Sequence, residues 1–317
     1  MEIRVKALLA TVRTDSDAIG ALLETIAGSE AQQVVNGRGA LEDPDAALDK
    51  AAELQRRWDT QPGQLWAIDS HRLLCADCRQ AEQVQRLWQD GARFRQILTD
   101  PPYGVGYAAK NQYLNRSDRG NRIQKPIEND HLSPAETALL FQTALQQSLP
   151  YALPGAAVYA SVPSGPLLPR FIAAFEAAGF SYKHMLVWIK SNFVISMADY
   201  HARHEVILYG WRENGPHYFT SDRRQDSVFE VDKPRSSEFH PTTKPVELLA
   251  RMISNSSRPG EVIFDPFSGS GSTLLAAHQL GRVGYSVEID PGYVAVALQR
   301  LTQLGLKPRL LDRWNEV

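Results

Sequence analysis

From residue 64 onward, the apolar positions of the chain alternate between two periods. Short apolar runs of strand length stand at 72–76 (RLLCA), 95–99 (RQILT), 156–161 (AAVYAS), 182–189 (YKHMLVWI), 204–211 (HEVILYGW), 261–265 (EVIFD) and 282–289 (RVGYSVEI). Between them, apolar residues recur every three to four positions, the helical spacing, over 81–90, 133–149, 166–179, 244–256, 272–280 and 291–304. The helix at 133 has its own start signal: Ser133 as N-cap, Pro134 at the first helical position and Glu136 at the capping-box position. Gly179 closes the helix that follows the third strand. Such alternation predicts an α/β fold, a doubly wound and mostly parallel sheet with helices on both faces. Two stretches resist it, 104–131 and 190–240. They are too long for ordinary connections, and long loops on such scaffolds tend to carry function.

Residues 1–62 read differently. They are rich in Ala, Asp, Glu and Gln, and Ile19, Leu22, Leu23 and Ile26 have helical spacing. A second helical segment, DAALDKAAELQRRW, runs to Trp58, and Gln61-Pro62-Gly63 then breaks the chain. We read 1–62 as a helical appendage packed on the main domain or a partner, and 63–317 as the catalytic domain. Hydrophobic residues make up 43% and charged residues 22%, which fits a globular protein with a sizeable core. No apolar run approaches the ~20 residues of a membrane span, and no secretory cleavage signal is present, so a cytoplasmic location is expected. Two cysteines rule out a disulfide scaffold. The net charge of -2 divides into 7 Lys+Arg against 11 Asp+Glu over 1–62, and 27 against 25 beyond. Any nucleic-acid footprint must therefore be local.

Three motifs carry chemistry. Phe264-Asp265-Pro266-Phe267-Ser268-Gly269-Ser270-Gly271-Ser272-Thr273 follows an apolar strand and opens a helix, where glycines admit a ligand to the backbone and free N–H groups face it. It is neither the G-x-G-x-x-G fingerprint, since position 274 is Leu, nor a P-loop, since it has no Lys. The next strand ends in Val287-Glu288-Ile289-Asp290-Pro291; an acid there suits ribose hydroxyls, while Asp290 suits a helix N-cap. Asp100-Pro101-Pro102-Tyr103 ends the strand at 95–99. Its prolines stiffen the turn and cannot donate hydrogen bonds. Asp100 and the Pro101 carbonyl then form a fixed acceptor pair beside the π-face of Tyr103, which suits a planar group bearing an amine.

Asp-Pro-Pro-Tyr followed by Phe-x-Gly-x-Gly resembles the amino-methyltransferases of DNA that use S-adenosylmethionine, in the circularly permuted order called the beta class. Phe239-His240-Pro241-Thr242-Thr243-Lys244-Pro245 is similar to the segment that precedes the Gly-rich motif in that class. Leu73-Leu74-Cys75-Ala76-Asp77 resembles its strand ending in Gly-Asp, with Ala76 in the place of Gly. Residues 191–211 look like the corresponding region of phage and prophage adenine methyltransferases, and 52–66 like the lead-in of phage enzymes that carry a ParB-like domain upstream, here absent or reduced to a remnant. The resemblance covers about 50–312. It implies a Rossmann-like class I methyltransferase fold with a seven-stranded sheet and inserted target-recognition loops. It implies that Asp100 and the Pro101 carbonyl accept the two N–H bonds of an adenine amine, with Pro102 stiffening the turn and Tyr103 stacking on the extruded base. His240, Thr242 and Lys244 would hold the cofactor carboxylate, and Asp265 would lie near its amine. Phe267, Gly269, Ser270, Gly271, Ser272 and Thr273 would line the same site with Asp100, Glu288 would take the ribose, and Asp77 would sit near the adenine. Double-stranded DNA is the implied partner. A homodimer, and a restriction partner on a separate chain, are left open.

Lys110, Arg116, Arg119, Arg122 and Lys125 stand against one acid, Asp118, directly after the tetrapeptide, and we read them as phosphate contacts. His201 and His204, in His201-Ala202-Arg203-His204-Glu205, border the target-base pocket by the same resemblance. That run is not H-E-x-x-H, and Cys75-Ala76-Asp77-Cys78 is a single C-x-x-C without a second pair, so no metal is expected. Neither cysteine fits the nucleophile of cytosine carbon-5 methylation. The nearest rival is cytosine-N4 methylation, which more often has Ser in place of Asp100. A non-catalytic DNA-binding or partition protein is a rival of another class, and the intact cofactor motif argues against it.

Overall fold

The computed structural model describes residues 51–104, 132–190, 199–231 and 246–313. Its strands in chain order are β1 (Gln64–Ile68), β2 (His71–Cys75), β3 (Phe94–Thr99), β4 (Ala152–Val162), β5 (Ser181–Ile189), β6 (His204–Trp211), β7 (Val228–Glu230), β8 (Val262–Asp265), β9 (Val283–Glu288) and β10 (Pro308–Arg313). The helices are α1 (Ala51–Trp58), α2 (Ala81–Leu87), α3 (Pro134–Ser148), α4 (Leu168–Ala177), α5 (Val246–Ser256), α6 (Ser272–Gln279) and α7 (Pro291–Gln303). All strands join one sheet in the order β10-β1-β2-β9-β8-β3-β4-β6-β5-β7.

The expected seven strands are present, and the count is corrected to ten among the described residues by β1, β7 and β10. Each lacked a local signal. β1 turns into β2 through Asp69-Ser70 without glycine, because Asp69 itself takes the left-handed conformation (φ 48). β10 opens on a proline and pairs antiparallel with β1 from the far end of the chain. β7 is three residues long and pairs with β5.

The five strands β2, β9, β8, β3 and β4 are parallel neighbours, while β6 runs antiparallel to both β4 and β5. Alternation along β4 sends Ala156, Val158, Ala160 and Val162 to the face covered by α2, α3 and α4, and Ala157 and Tyr159 to the face covered by α5. α3 begins with the capping box read from the sequence: the Ser133 hydroxyl accepts from the Glu136 backbone N–H, and the Glu136 carboxylate accepts from Ser133 N–H. α1 packs on α7 through Ala51 and Leu54 against Ala295 and Val296, with Trp58 Nε1 donating to Gln299 Oε1 (3.3 Å). The expected boundary at residue 62 thus follows a helix fastened to the sheet domain. No helix among the described residues is long and apolar enough to cross a membrane.

Connectivity fixes where chemistry can sit. β3 leads through α3 to β4 on one side, and β8 leads through α6 to β9 on the other. The chain leaves the adjacent ends of β3 and β8 in opposite directions, which opens a crevice at the carboxyl edge of the sheet. The entering end of β6 lies on that same edge, since Val206 pairs with Val162, the last residue of β4.

Candidate active site

The crevice is lined by acids delivered by neighbouring strands. Asp265 ends β8 and is 3% exposed. Its Oδ1 accepts from the Thr99 hydroxyl (2.7 Å) and from the Phe267 backbone N–H (3.0 Å), and its Oδ2 accepts from the Thr273 hydroxyl (2.7 Å). One carboxylate therefore ties the end of β3 to the end of β8 and to the first turn of α6. Burial, with a smaller contribution from the charge of Asp100, raises its pKa to about 6 against these donors.

Glu288 ends β9 and is 9% exposed. Its Oε2 accepts from the Gly269 N–H (2.7 Å) and its Oε1 from the Asp290 N–H (2.9 Å). Burial raises its pKa to about 7, with Asp290 and Asp265 adding to the rise. Both partners are backbone groups, and each carboxylate oxygen keeps a second lone pair for a ligand. Asp290 is the N-cap of α7, accepting from Gly292 N–H (2.6 Å).

The glycine turn between these acids is shaped by close approach. Gly271 has φ 81, and a Cβ there would lie 2.8 Å from Ala297 Cβ on α7. A Cβ on Gly269 would meet nothing within 4 Å, so the backbone faces open space at that point. Ser268 Oγ is buried without a hydrogen-bond partner among the described residues. Arg300 of α7 braces the turn from behind, its Nη1 donating to the Ser270 carbonyl (2.7 Å), Ser270 Oγ (2.8 Å) and Ser272 Oγ (3.3 Å). Burial lowers its pKa to about 10.

Asp100 follows β3 directly and is exposed, while Pro101 is buried and Pro102 and Tyr103 are half-buried. The Tyr103 hydroxyl donates to Asp100 Oδ1 (2.8 Å), and burial together with the charges of Asp100 and Glu205 holds it well above the usual phenol range. Gly104 then takes φ 66, with its Cα so close to α3 that a Cβ would lie 2.5 Å from Thr137 Oγ1 and 2.8 Å from the Leu132 carbonyl. Asp77 follows β2 and is engaged by Arg79, whose Nη2 lies 2.6 Å from its Oδ2. The Ala76 N–H donates to the Glu288 carbonyl (2.9 Å), so Asp77 stands beside the end of β9.

Asp77, Asp100, Asp265, Phe267, Gly269, Ser270, Gly271, Ser272, Thr273 and Glu288 thus converge on one sheet edge. His201 and His204 are exposed at the β6 end of it. His240, Thr242, Lys244, Lys110, Arg116, Arg119, Arg122 and Lys125 lie outside the described residues. Thr99 and Arg300 were not foreseen. Thr99, a polar residue closing an apolar strand, was visible; Arg300 reaches Ser270 from a different helix, and no local pattern marks it. Cys75 and Cys78 are buried free thiols, both pushed up by burial, and no metal-binding cluster occurs among the described residues.

The chain belongs to a family of transferases: residues 94–299, which hold the ends of β3, β8 and β9 and the glycine turn, match the model of the N6/N4 DNA methylase family. Relatives agree. YubD of Escherichia coli strain K12, which carries the name of a methylase, is 32% identical over 209 residues, covering 65% of this chain and 80% of that protein. The DNA adenine methyltransferase YhdJ of the same strain is 36% identical over 98 residues, 30% of this chain and 33% of that protein. Among solved structures, the complex of M1.HpyAVI with S-adenosylmethionine superposes with a TM-score of 0.52 at 21% identity, covering 72% of this chain and 98% of that one.

Proposed function

We propose that this DNA methylase is a sequence-specific adenine-N6 methyltransferase of double-stranded DNA, with S-adenosylmethionine as methyl donor, in the permuted beta-class arrangement. The observation that carries it is the exposed Asp100 carboxylate at the end of β3, set against the buried acids of β8 and β9. Thr99 and Asp265 touch although 166 residues separate them, so the tetrapeptide precedes the glycine turn in sequence yet adjoins it in space. That order supports the permuted reading. The name of YhdJ, an adenine enzyme, and an Asp rather than Ser at position 100 support adenine.

The donor set fits the cofactor. Acids at this edge favour a ligand with positive charge, the glycine turn leaves room, and the buried Ser268 hydroxyl is without a partner among the described residues. When bound, S-adenosylmethionine supplies an electrophilic sulfonium methyl. Glu288 would accept from its ribose hydroxyls, and Asp265 holds the floor of the turn in place. Asp100 and the Pro101 carbonyl would accept the two N–H bonds of the extruded adenine, localising the nitrogen lone pair and aiming it at the methyl. Catalysis is then positioning and electrostatics, without a covalent enzyme intermediate. Tyr103 would stack on the base.

Incubation of unmodified plasmid with the protein and S-adenosylmethionine, read by single-molecule sequencing, is expected to give methylated adenines in one short sequence context. N4-methylcytosine in their place would assign the other branch of the family, and unmodified DNA from a protein that binds cofactor would overturn the reading.

Glu288 sets a pH dependence. Its pKa in the free protein is about 7, and the ionised form is the better acceptor for two hydroxyls. Affinity for S-adenosylmethionine is expected to rise with pH, approaching about tenfold per unit below pH 7 and levelling above it. Calorimetric titration between pH 5.5 and 8.5 measures this. Glu288→Gln should bind more weakly at pH 8 and lose the slope, whereas an unchanged slope would remove Glu288 from the ribose site.

A further inference from the structure

We propose that Tyr200 is the side chain that enters the base stack and fills the space left by the extruded target base, an inference that rests on the DNA-methylating reading above. Tyr159, Tyr209 and Tyr285 are at most 5% exposed, and other described aromatics such as Tyr182 and Trp211 are half-buried. Tyr200 is 91% exposed, far above every other exposed large hydrophobic side chain described. An isolated exposed ring is common on protein surfaces, so the surface that Tyr200 meets is read from its place as well as its exposure.

Its place says which surface. Tyr200 lies in a bend just ahead of β6, whose entering end shares the catalytic edge of the sheet with Asp100. The root of the loop is held, because the Arg203 carbonyl accepts from the Lys190 N–H (2.8 Å) at the end of β5. The ring therefore stands three positions from a fixed point, which limits the reach of its backbone to about 10 Å from that anchor. Arg203, His201 and His204 are exposed around the root, and a cation flanked by imidazoles suits phosphates on either side of an inserted ring. A base drawn out of the duplex leaves two unstacked neighbours, and a flat aromatic of this size restores a π-contact to both. The phenol is amphipathic, so it tolerates water before binding and a stacked site afterwards.

The test uses the full chain and duplexes carrying the methylated sequence found by plasmid sequencing. Tyr200→Ala is expected to lower single-turnover methylation of a paired target by about tenfold to a hundredfold, with S-adenosylmethionine affinity unchanged and Tyr200→Trp within about threefold of the parent. On a duplex whose target base stands opposite an abasic position, where extrusion is already cheap, the ratio of parent to Tyr200→Ala should fall to about threefold or less. Fluorescence of 2-aminopurine beside the target should rise less with the alanine variant. Equal rates for parent and Tyr200→Ala on paired DNA would overturn the inference, as would an equal loss on both duplexes, which assigns Tyr200 to docking alone. A changed oligomeric state with normal methylation would assign the ring to a protein contact and also overturn it. A parent protein that leaves DNA unmodified refutes the functional reading instead, so the two failures are distinguishable.

Discussion

Asp100→Ala is expected to lower methyl transfer by about a thousandfold or more, while S-adenosylmethionine still binds within a few-fold of the parent affinity. Asp100 is exposed at the end of β3, whereas Asp265 and Glu288 are held by Thr99, Thr273, Phe267, Gly269 and Asp290. Removing its carboxylate therefore leaves the cofactor wall standing and deletes the acceptor that localises the lone pair of the amine. An exocyclic amine is conjugated and weakly nucleophilic, so the loss falls on the chemical step. Asp100→Asn separates charge from shape: it keeps one acceptor oxygen and should retain part of the rate. Single-turnover methylation with parallel calorimetry measures both quantities. Near-parental turnover by Asp100→Ala would remove the assigned role.

Asp265→Ala should be the most destabilising change at the site, by about 3 kcal/mol, because it strands the Thr99 and Thr273 hydroxyls and the Phe267 N–H in a buried place. It unfastens β8 from β3, so cofactor affinity should fall with stability. Asp265→Asn is the informative comparison. The folded pKa of Asp265, about 6, lies above its unfolded value of 3.8. Its contribution is therefore fully present below pH 3.8 and is lost as pH rises through 6. Measured by urea unfolding, the stability advantage of the parent over Asp265→Asn should shrink by up to about 3 kcal/mol between pH 4 and pH 7. A difference independent of pH would show that the carboxyl is ionised throughout.

Much of the molecule was legible before any coordinates. The seven expected strands each carried their own apolar run, and for β2, β3, β4, β8 and β9 the reason is burial over most of their length; β5, with His184 and Met185 exposed, is the partly open one. Ser133 and Glu136 announced the start of α3 through local hydrogen bonding, and Asp100, Asp265 and Glu288 were conspicuous as acids ending apolar strands. What was illegible is non-local. β10 pairs with β1 across most of the chain, and its PRLLDR sequence has no alternation strong enough to mark it. Arg300 carries no local signal in the helix 291–304, yet it braces Ser270 and Ser272. Asp265 was expected to point at a ligand. Its described partners are protein donors, and only the coordinates reveal that Thr99 and Thr273 reach it from two elements at once.

If Asp100 receives the substrate amine as proposed, the hydrogen bond from the Tyr103 hydroxyl gives the free enzyme a rehearsal of its substrate. An O–H occupies one of the places where an amine N–H would go, so an arriving base exchanges one donor for another and the carboxylate need not be stripped of water at that position. Entry is then close to an even trade for a base that brings an amino group. A base that offers a carbonyl there must break the contact and put an acceptor against an acceptor. On the proposed roles, discrimination between amino and oxo bases would be exercised at the threshold of the pocket, before a methyl group is committed.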